Sequence, residues 1–153
     1  MTLHWICKPH AELSPAELYA ILRLRCEVFV VEQHCVYQDI DGQDFDGDCR
    51  HLMAWNDATL VAYLRLLDPH LHDGEVKVGR VVTAPAARGS GLGHQLMGHA
   101  LEHAALLWPQ APLSMSAQAH LQAYYGRYGF TACSDEYLED GIPHVQMRRH
   151  PQG

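Results

Sequence analysis

No apolar run in the chain approaches the roughly 18 uninterrupted residues that a membrane helix needs. Its first residues, among them His4, Lys8, His10 and Glu12, hold no signal-peptide hydrophobic segment, so a cytoplasmic location is expected. There is no C-x-x-C pair either. Cys7, Cys26, Cys35, Cys49 and Cys133 are odd in number and scattered, which offers neither a disulfide framework nor a zinc site and points to reduced thiols. Positive charge is scarce: 11 Lys and Arg stand against 18 Asp and Glu, a formal net charge of -7. That balance repels polyphosphate and argues against a general nucleic-acid binder, so an anionic ligand would need a local site. Internal repeats and low-complexity tracts are also missing.

What the sequence does contain is a core. With 153 residues, 48% hydrophobic and 19% charged, positions 1–153 read as a single domain, since two cores would leave each half near the lower size limit for folding. His4 to Lys8 reads as a strand, and Ser14-Pro15-Ala16-Glu17 as a capping box with proline at the first helical position. Leu18, Ile21, Leu22, Arg25, Val28 and Phe29 follow at helical spacing and predict one inward face. Further strands are expected at Leu52–Trp55, Leu60–Leu67, Val76–Thr83, Leu113–Ala117, Thr131–Ser134 and Ile142–Arg148, with turn signals at Asn56-Asp57 and Asp140-Gly141. Helices are expected over about Gly91 to Leu107 and Gln118 to Tyr128, ended by Pro109 and Gly129. This order describes an α/β fold, a mixed sheet with helices on its faces.

Between Gln33 and Arg50 stand Asp39, Asp41, Asp44, Asp46 and Asp48, expected as a solvated loop. From Asp39 a calcium loop would need glycine sixth and glutamate twelfth, where Asp44 and Arg50 stand. The acids read as a solvated charge run or as an attractor for a cationic acceptor. Arg80, inside an apolar strand, requires a carboxylate partner, Glu32 or Asp39, in a structural or substrate-positioning role. His99 and His103 share a helix face but lack an H-E-x-x-H order and a third ligand, so they read as solvent-facing and no metal is expected.

The sharpest signal is Arg88-Gly89-Ser90-Gly91-Leu92-Gly93, between an apolar strand and an amphipathic helix. Glycines let successive backbone N–H groups converge on an anion, and the helix N-terminus adds partial positive charge. The competing reading is a glycine turn that merely starts a helix. His94 stands where G-x-G-x-x-G needs its last glycine and no Gly-Lys-Ser/Thr follows, so neither a Rossmann nor a Walker loop fits. Further on, Ala123-Tyr124-Tyr125-Gly126-Arg127-Tyr128-Gly129-Phe130 closes a helix ahead of a strand. Read alone, its tyrosines are packing residues.

In this order, strand, R-x-x-G-x-G, helix, strand and helix with Y-x-x-x-G-F resemble the acetyl-CoA-binding core of the GNAT acyltransferase superfamily, over roughly residues 76 to 130. Val28-Phe29-Val30-Val31-Glu32-Gln33 with Cys35, Tyr37 and Asp39, then Gly79-Arg80-Val81-Val82, Ala117-Gln118-Ala119-His120-Leu121-Gln122 and Glu139-Asp140-Gly141-Ile142-Pro143-His144 resemble its ElaA-type branch, over nearly the whole chain. The resemblance implies a mostly antiparallel sheet and acetyl transfer from acetyl-CoA to a primary amine of a small molecule or peptide, in one ternary complex. It implies that the backbone of Val81, Val82 and Thr83 pairs with the pantetheine arm, and that Arg88, Gly89, Ser90, Gly91, Leu92, Gly93 and His94 hold the pyrophosphate. Tyr125 falls on the position of the general acid that protonates the leaving thiolate. Gln118 stands where many members carry asparagine, its amide still able to reach the cofactor arm. An oxyanion donor is expected among the backbone amides near Val82.

Attack by an amine also needs a base, and Glu32, His51, Glu75, Glu139 and His144 are all eligible by residue type. His144 leads, because imidazole titrates near neutrality, and Glu32 is second. Two alternatives stay open: acyl transfer to a different acceptor, such as a peptide N-terminus or a lactone precursor, and a CoA-binding sensor without turnover. No nucleic-acid or membrane partner is expected, and a homodimer is left open.

Overall fold

The capping box forms as the sequence requires. Ser14 Oγ accepts the Glu17 backbone N–H at 3.0 Å and the Glu17 carboxylate accepts the Ser14 N–H at 2.8 Å, so helix α1 (Pro15–Arg25) begins with its orphan amides satisfied. The computed structural model describes residues 2–151; Met1, Gln152 and Gly153, the ends of the expected domain span, lie outside them. The strands are β1 (His4–Pro9), β2 (Arg50–Asn56), β3 (Thr59–Leu67), β4 (Val76–Thr83), β5 (Leu113–Gln118), β6 (Thr131–Ala132), β7 (Tyr137–Glu139) and β8 (Ile142–Arg149), with helices α2 (Leu92–Leu107) and α3 (Gln122–Gly126). They make one sheet in the order β1-β2-β3-β4-β5-β8-β6, with β7 paired to β8. Among the described residues only β4 and β5 pair in parallel. The sheet is therefore mixed and mostly antiparallel, as the resemblance implies.

Period-two alternation divides the sheet between two cores. Leu52 and Ala54 of β2, with Ala62, Leu64 and Leu66 of β3, pack with Leu92, Leu96, Met97 and Ala100 of α2. Met53 and Tyr63, one position out of phase, pack with Ile21, Leu24 and Val28. A strand covered on both faces has to be apolar at nearly every position. That is why β3 reads as a continuous run, buried from Leu60 to Leu67 and broken only by Arg65.

Four local departures from the sequence expectation stand out, the first three of them beside the site. The first helix does not continue in α geometry: Cys26–Glu32 is a π-helical segment, with Gln33 N–H donating to Val28 O and Cys35 N–H to Val30 O, both at 3.1 Å. The wider turn keeps Val28 buried while Phe29 and Glu32 turn toward the cleft described below. Gln118 belongs to β5, and the predicted helix from it shrinks to a 3-10 turn (Ala119–Leu121) and the short α3. Strand β7 was not anticipated because it is only three residues long and follows Asp135-Glu136; the turn at Asp140-Gly141, φ 51 and 79, joins it to β8. His99 is half-buried rather than solvent-facing, its ring stacked on Trp5 with centroids 4.0 Å apart.

The largest correction concerns the acidic loop. Asp39 and Asp44 are each 6% exposed and Arg25, counted on the helix's inward face, is 0% exposed. The Arg25 guanidinium meets Asp39 Oδ2 at 3.0 Å and Asp44 Oδ1 at 2.6 Å, and donates to the Asp39 carbonyl at 2.9 Å. Arg65 pairs with Asp41 at 2.6 Å and Asp44 at 3.0 Å. Arg80 Nε lies 2.8 Å from Asp39 Oδ1, a contact ion pair rather than a directed hydrogen bond, and its Nη2 lies 3.2 Å from Asp41. Three arginines and three aspartates thus neutralise one another under the loop. Asp39, not Glu32, is the partner of Arg80. Of the run, Asp46 is exposed and Asp48 lies near the surface in a pair with Arg50 at 2.8 Å.

Candidate functional site

Strands β4 and β5 are in register at only two places, Val76↔Leu113 and Lys77↔Ser114. Beyond them the strands part. The local cause sits in β4, where the β3–β4 register shifts between Tyr63 and Arg65 and Arg80 is forced to φ 55. A bulge of this kind adds twist and swings the strand end away from its neighbour. A left-handed non-glycine residue costs roughly 1–2 kcal/mol; here the ion pairs of Arg80 and the Tyr37 ring, 5.6 Å from its guanidinium carbon, hold it. The opening is a cleft of about 610 Å³.

Pairing decides which backbone groups face that cleft. Ala84 N–H donates to Val61 O at 2.8 Å, so in the register Ala62↔Thr83 and Tyr63↔Val82 the groups of Val82 also turn toward β3. Those of Val81 and Thr83 turn the other way, into the gap. This corrects the expectation for Val82: its side chain is buried against α1 and its amide is directed at β3, leaving Val81 and Thr83 as the open edge.

Of the expected site residues, Glu32, Val81, Thr83, Arg88, Gln118, Tyr125 and His144 line the cleft together. Gly89 to His94 do not; they follow Arg88 at the N-terminus of α2. Within that turn the glycines answer different needs. Gly89 and Gly91 sit at φ 91 and 77 with nothing within 4 Å of a built Cβ, whereas a Cβ on Gly93 would meet Tyr124 Oη at 2.9 Å. Leu92 is 2% exposed, so its side chain serves the core and only its amide can serve a ligand. His94 Nδ1 is hydrogen-bonded to the Tyr128 hydroxyl. The turn therefore offers unhindered amides at a helix start, the arrangement an anion needs.

Tyr125 is 6% exposed, and burial first, then the neighbouring Tyr128, pushes its hydroxyl up to about 12. Facing it from the sheet, Gln118 of β5 is the register partner of His144 of β8. His144 Nδ1 lies 2.7 Å from the Ile142 carbonyl. A carbonyl only accepts, so Nδ1 carries the proton and the neutral ring keeps its lone pair on Nε2, 3.4 Å from Glu139 Oε2. Glu139 also accepts from Ser116 at 3.2 Å, and Ser116 meets the Tyr137 hydroxyl, which accepts from Gln146 at 2.7 Å. Sequence reasoning missed Ser116, Tyr137 and Gln146 because the unforeseen strand β7 assembles them.

The base candidates separate cleanly. His51 is fully buried outside the cleft, its Nε2 donating to the Asp44 carbonyl at 2.9 Å and its Nδ1 accepting from Tyr63 at 2.7 Å; burial lowers its pKa. Glu75, also outside, is taken by Arg148 and Lys77. Glu32 is held by Arg88 at 2.7 and 3.0 Å, and that hydrogen bond holds its carboxyl below the usual range for as long as the pair lasts. His144 and Glu139 line the cleft without a cationic partner of that kind. Among the described residues no group of three or more His, Cys, Asp or Glu side chains is placed to hold a metal ion, and no helix is long and apolar enough to cross a membrane.

Comparison with known proteins agrees with this architecture. A solved Pseudomonas aeruginosa acyl-CoA N-acyltransferase superposes with a TM-score of 0.95 at 64% identity, covering 97% of this chain and 99% of that one. The crystal structure of Escherichia coli ElaA gives 0.93 at 47% identity, covering 97% and 100%. By sequence, Escherichia coli ElaA is 48% identical over 147 residues, 96% of each chain. The family model described as an acetyltransferase (GNAT) domain matches residues 11–150. With that match over most of its length and the parted β4–β5 pair at its centre, the chain belongs to the GNAT acetyltransferase family, alongside ElaA.

Proposed function

We propose that the protein is an N-acetyltransferase that moves an acetyl group from acetyl-CoA to a primary amine of a small molecule or peptide by direct attack in a ternary complex. The observation that carries this reading is the open edge of β4 at Val81 and Thr83, in one cleft with Tyr125 and His144. An extended pantetheine arm can add to that edge as a strand would, with its pyrophosphate at the Gly89–His94 amides and Arg88. A cleft-facing amide beside Val82 then steadies the oxyanion.

Nε2 of His144 takes the proton of the attacking ammonium, and Glu139 accepts a hydrogen bond from the imidazolium formed. As the amine nitrogen bonds to the acyl carbon and the C–S bond breaks, the Tyr125 hydroxyl gives its proton to the sulfur, and the surplus proton left on the new amide nitrogen passes through water in the cleft to restore the phenol. A phenol near 12 is a weak acid for an ordinary thiolate. Burial against the 6% exposed Tyr125, however, disfavours an anion on the sulfur as it does on the phenol, which draws the two acidities together. The five cysteines are all free thiols, consistent with the cytoplasm, where we place the enzyme.

The test is a panel of primary amines and peptides offered with acetyl-CoA, read as free thiol. Release above the amine-free rate with at least one acceptor is expected. Tight CoA binding with no release from any of them would replace the enzyme by a sensor.

The glycine turn gives a second, independent check. Gly91→Val places a side chain in the open space before the turn and should weaken acetyl-CoA binding at least tenfold by calorimetry. Gly74→Val is the control: Gly74 has φ 82 and nothing within 4 Å of a built Cβ, so it suffers the same backbone strain elsewhere and should bind acetyl-CoA normally. Equal affinities in the two variants would remove the turn from the site.

A further inference from the structure

We propose that Glu32 is a built-in competitor for the donor: its carboxylate and the CoA pyrophosphate take the same guanidinium, that of Arg88. The inference rests on the reading of the cleft as a CoA site and concerns what the donor must displace to enter it. Arg88 reaches from the turn after β4 to the π-helical segment, donating from Nη1 to Glu32 Oε2 at 3.0 Å and from Nη2 to Oε1 at 2.7 Å. The same Nη2 also donates to the Thr83 carbonyl at 3.2 Å, one of the backbone groups on the open edge. One side chain therefore covers both the strand edge and the approach to the glycine turn.

The pair is suited to exchange. Both side chains are exposed, at 42% and 40%, and exposed ion pairs hold weakly because water screens them and long side chains lose freedom in forming them. A diphosphate brings more charge than one carboxylate and can accept the same two-pronged donation. Glu32 is not carried away with the arginine, since the hydrogen bonds of Gln33 to Val28 and of Cys35 to Val30 fix the backbone around it. Once Arg88 turns to the pyrophosphate, Thr83 regains its carbonyl and Glu32 stands as a bare carboxylate in the cleft that Glu139 and His144 also line. Donor loading thus changes the charge an amine meets.

A double-mutant cycle on CoA binding, measured by calorimetry, tests this. Glu32→Gln keeps the shape of an exposed side chain and should bind CoA about 1.5- to fivefold tighter than wild type, the range an exposed ion pair spans. Arg88→Gln should bind more weakly, and adding Glu32→Gln to it should bring no gain, because the competition needs both partners. Unchanged or weaker CoA binding by Glu32→Gln overturns the proposal. So does an equal gain with and without Arg88, which would reduce the effect to general repulsion between Glu32 and phosphate. Failure of the wild-type protein to bind CoA would overturn the functional reading along with it, a result distinct from the other two.

Discussion

Tyr125→Phe should lower kcat by about 10²- to 10⁴-fold, or roughly 3 to 5 kcal/mol of barrier, while leaving the fold and acetyl-CoA affinity in place. The substitution removes one hydroxyl and keeps the ring, which packs edge-on against Phe130 and Tyr124 with centroids 6.4 and 5.2 Å away. Tyr124 and Tyr128 are internal controls. The Tyr124 hydroxyl abuts Gly93 and that of Tyr128 bonds His94; neither residue lines the cleft. Their phenylalanine variants should keep kcat within a few-fold. Three equal and near-wild-type rates with a good acceptor would leave Tyr125 a packing residue and give the thiolate its proton from water.

The second large effect is on stability. Arg25→Met fills much of the same volume but removes the cation that Asp39 and Asp44 share, leaving Asp39 to Arg80 and Asp44 to Arg65 alone. Breaking a buried pair from one side costs about 3–5 kcal/mol, enough to bring a protein of ordinary stability close to unfolding. Urea unfolding at pH 7 should show it as a fall in midpoint. The loss should shrink in acid, and the sign follows from the carboxylates. Burial alone would raise the pKa of Asp44 and of Asp41, but hydrogen bonds and charge, from Arg25 and Arg65 for Asp44 and from Arg65 and Arg80 for Asp41, hold both below the ordinary value. A depressed folded-state pKa stabilises fully above the unfolded value, near 4, and that stability is lost as pH falls through the folded one. Wild type should therefore lose stability steeply below about pH 4, and Arg25→Met less so. An equal loss at both pH values would mean that the network is not what Arg25 supports.

How much of this was legible in the sequence depended on whether the signal was local. The capping box, the glycine turn and the runs of β3 and β4 declare themselves within a few neighbours, and they were read correctly in kind. The π-helical segment did not, because the apolar spacing of Ile21, Leu24 and Val28 is the same for a helix that widens after Arg25. The acidic loop was misread for the opposite reason. Its aspartates look solvated until β3 and β4 bring Arg65 and Arg80 under them, and no local pattern reports pairs such as Arg65 with Asp41, 24 residues apart. The site divides the same way. Tyr125, the turn and His144 could be named as candidates from the sequence, whereas the pairing of the second base candidate, Glu32, with Arg88, 56 residues away, needed the fold.

The parting of β4 from β5 also bears on which molecules can pair with the open strand. Unsatisfied strand groups on the rim of a sheet are adhesive, because any passing chain can add to them. Here the open groups of Val81 and Thr83 lie inside the sheet, between two walls, with the Arg88 side chain drawn across one of them. A folded neighbour cannot reach that slot, but a slender molecule with amides of its own can. The fold keeps the hydrogen-bonding appetite of a raw edge while hiding it from other proteins.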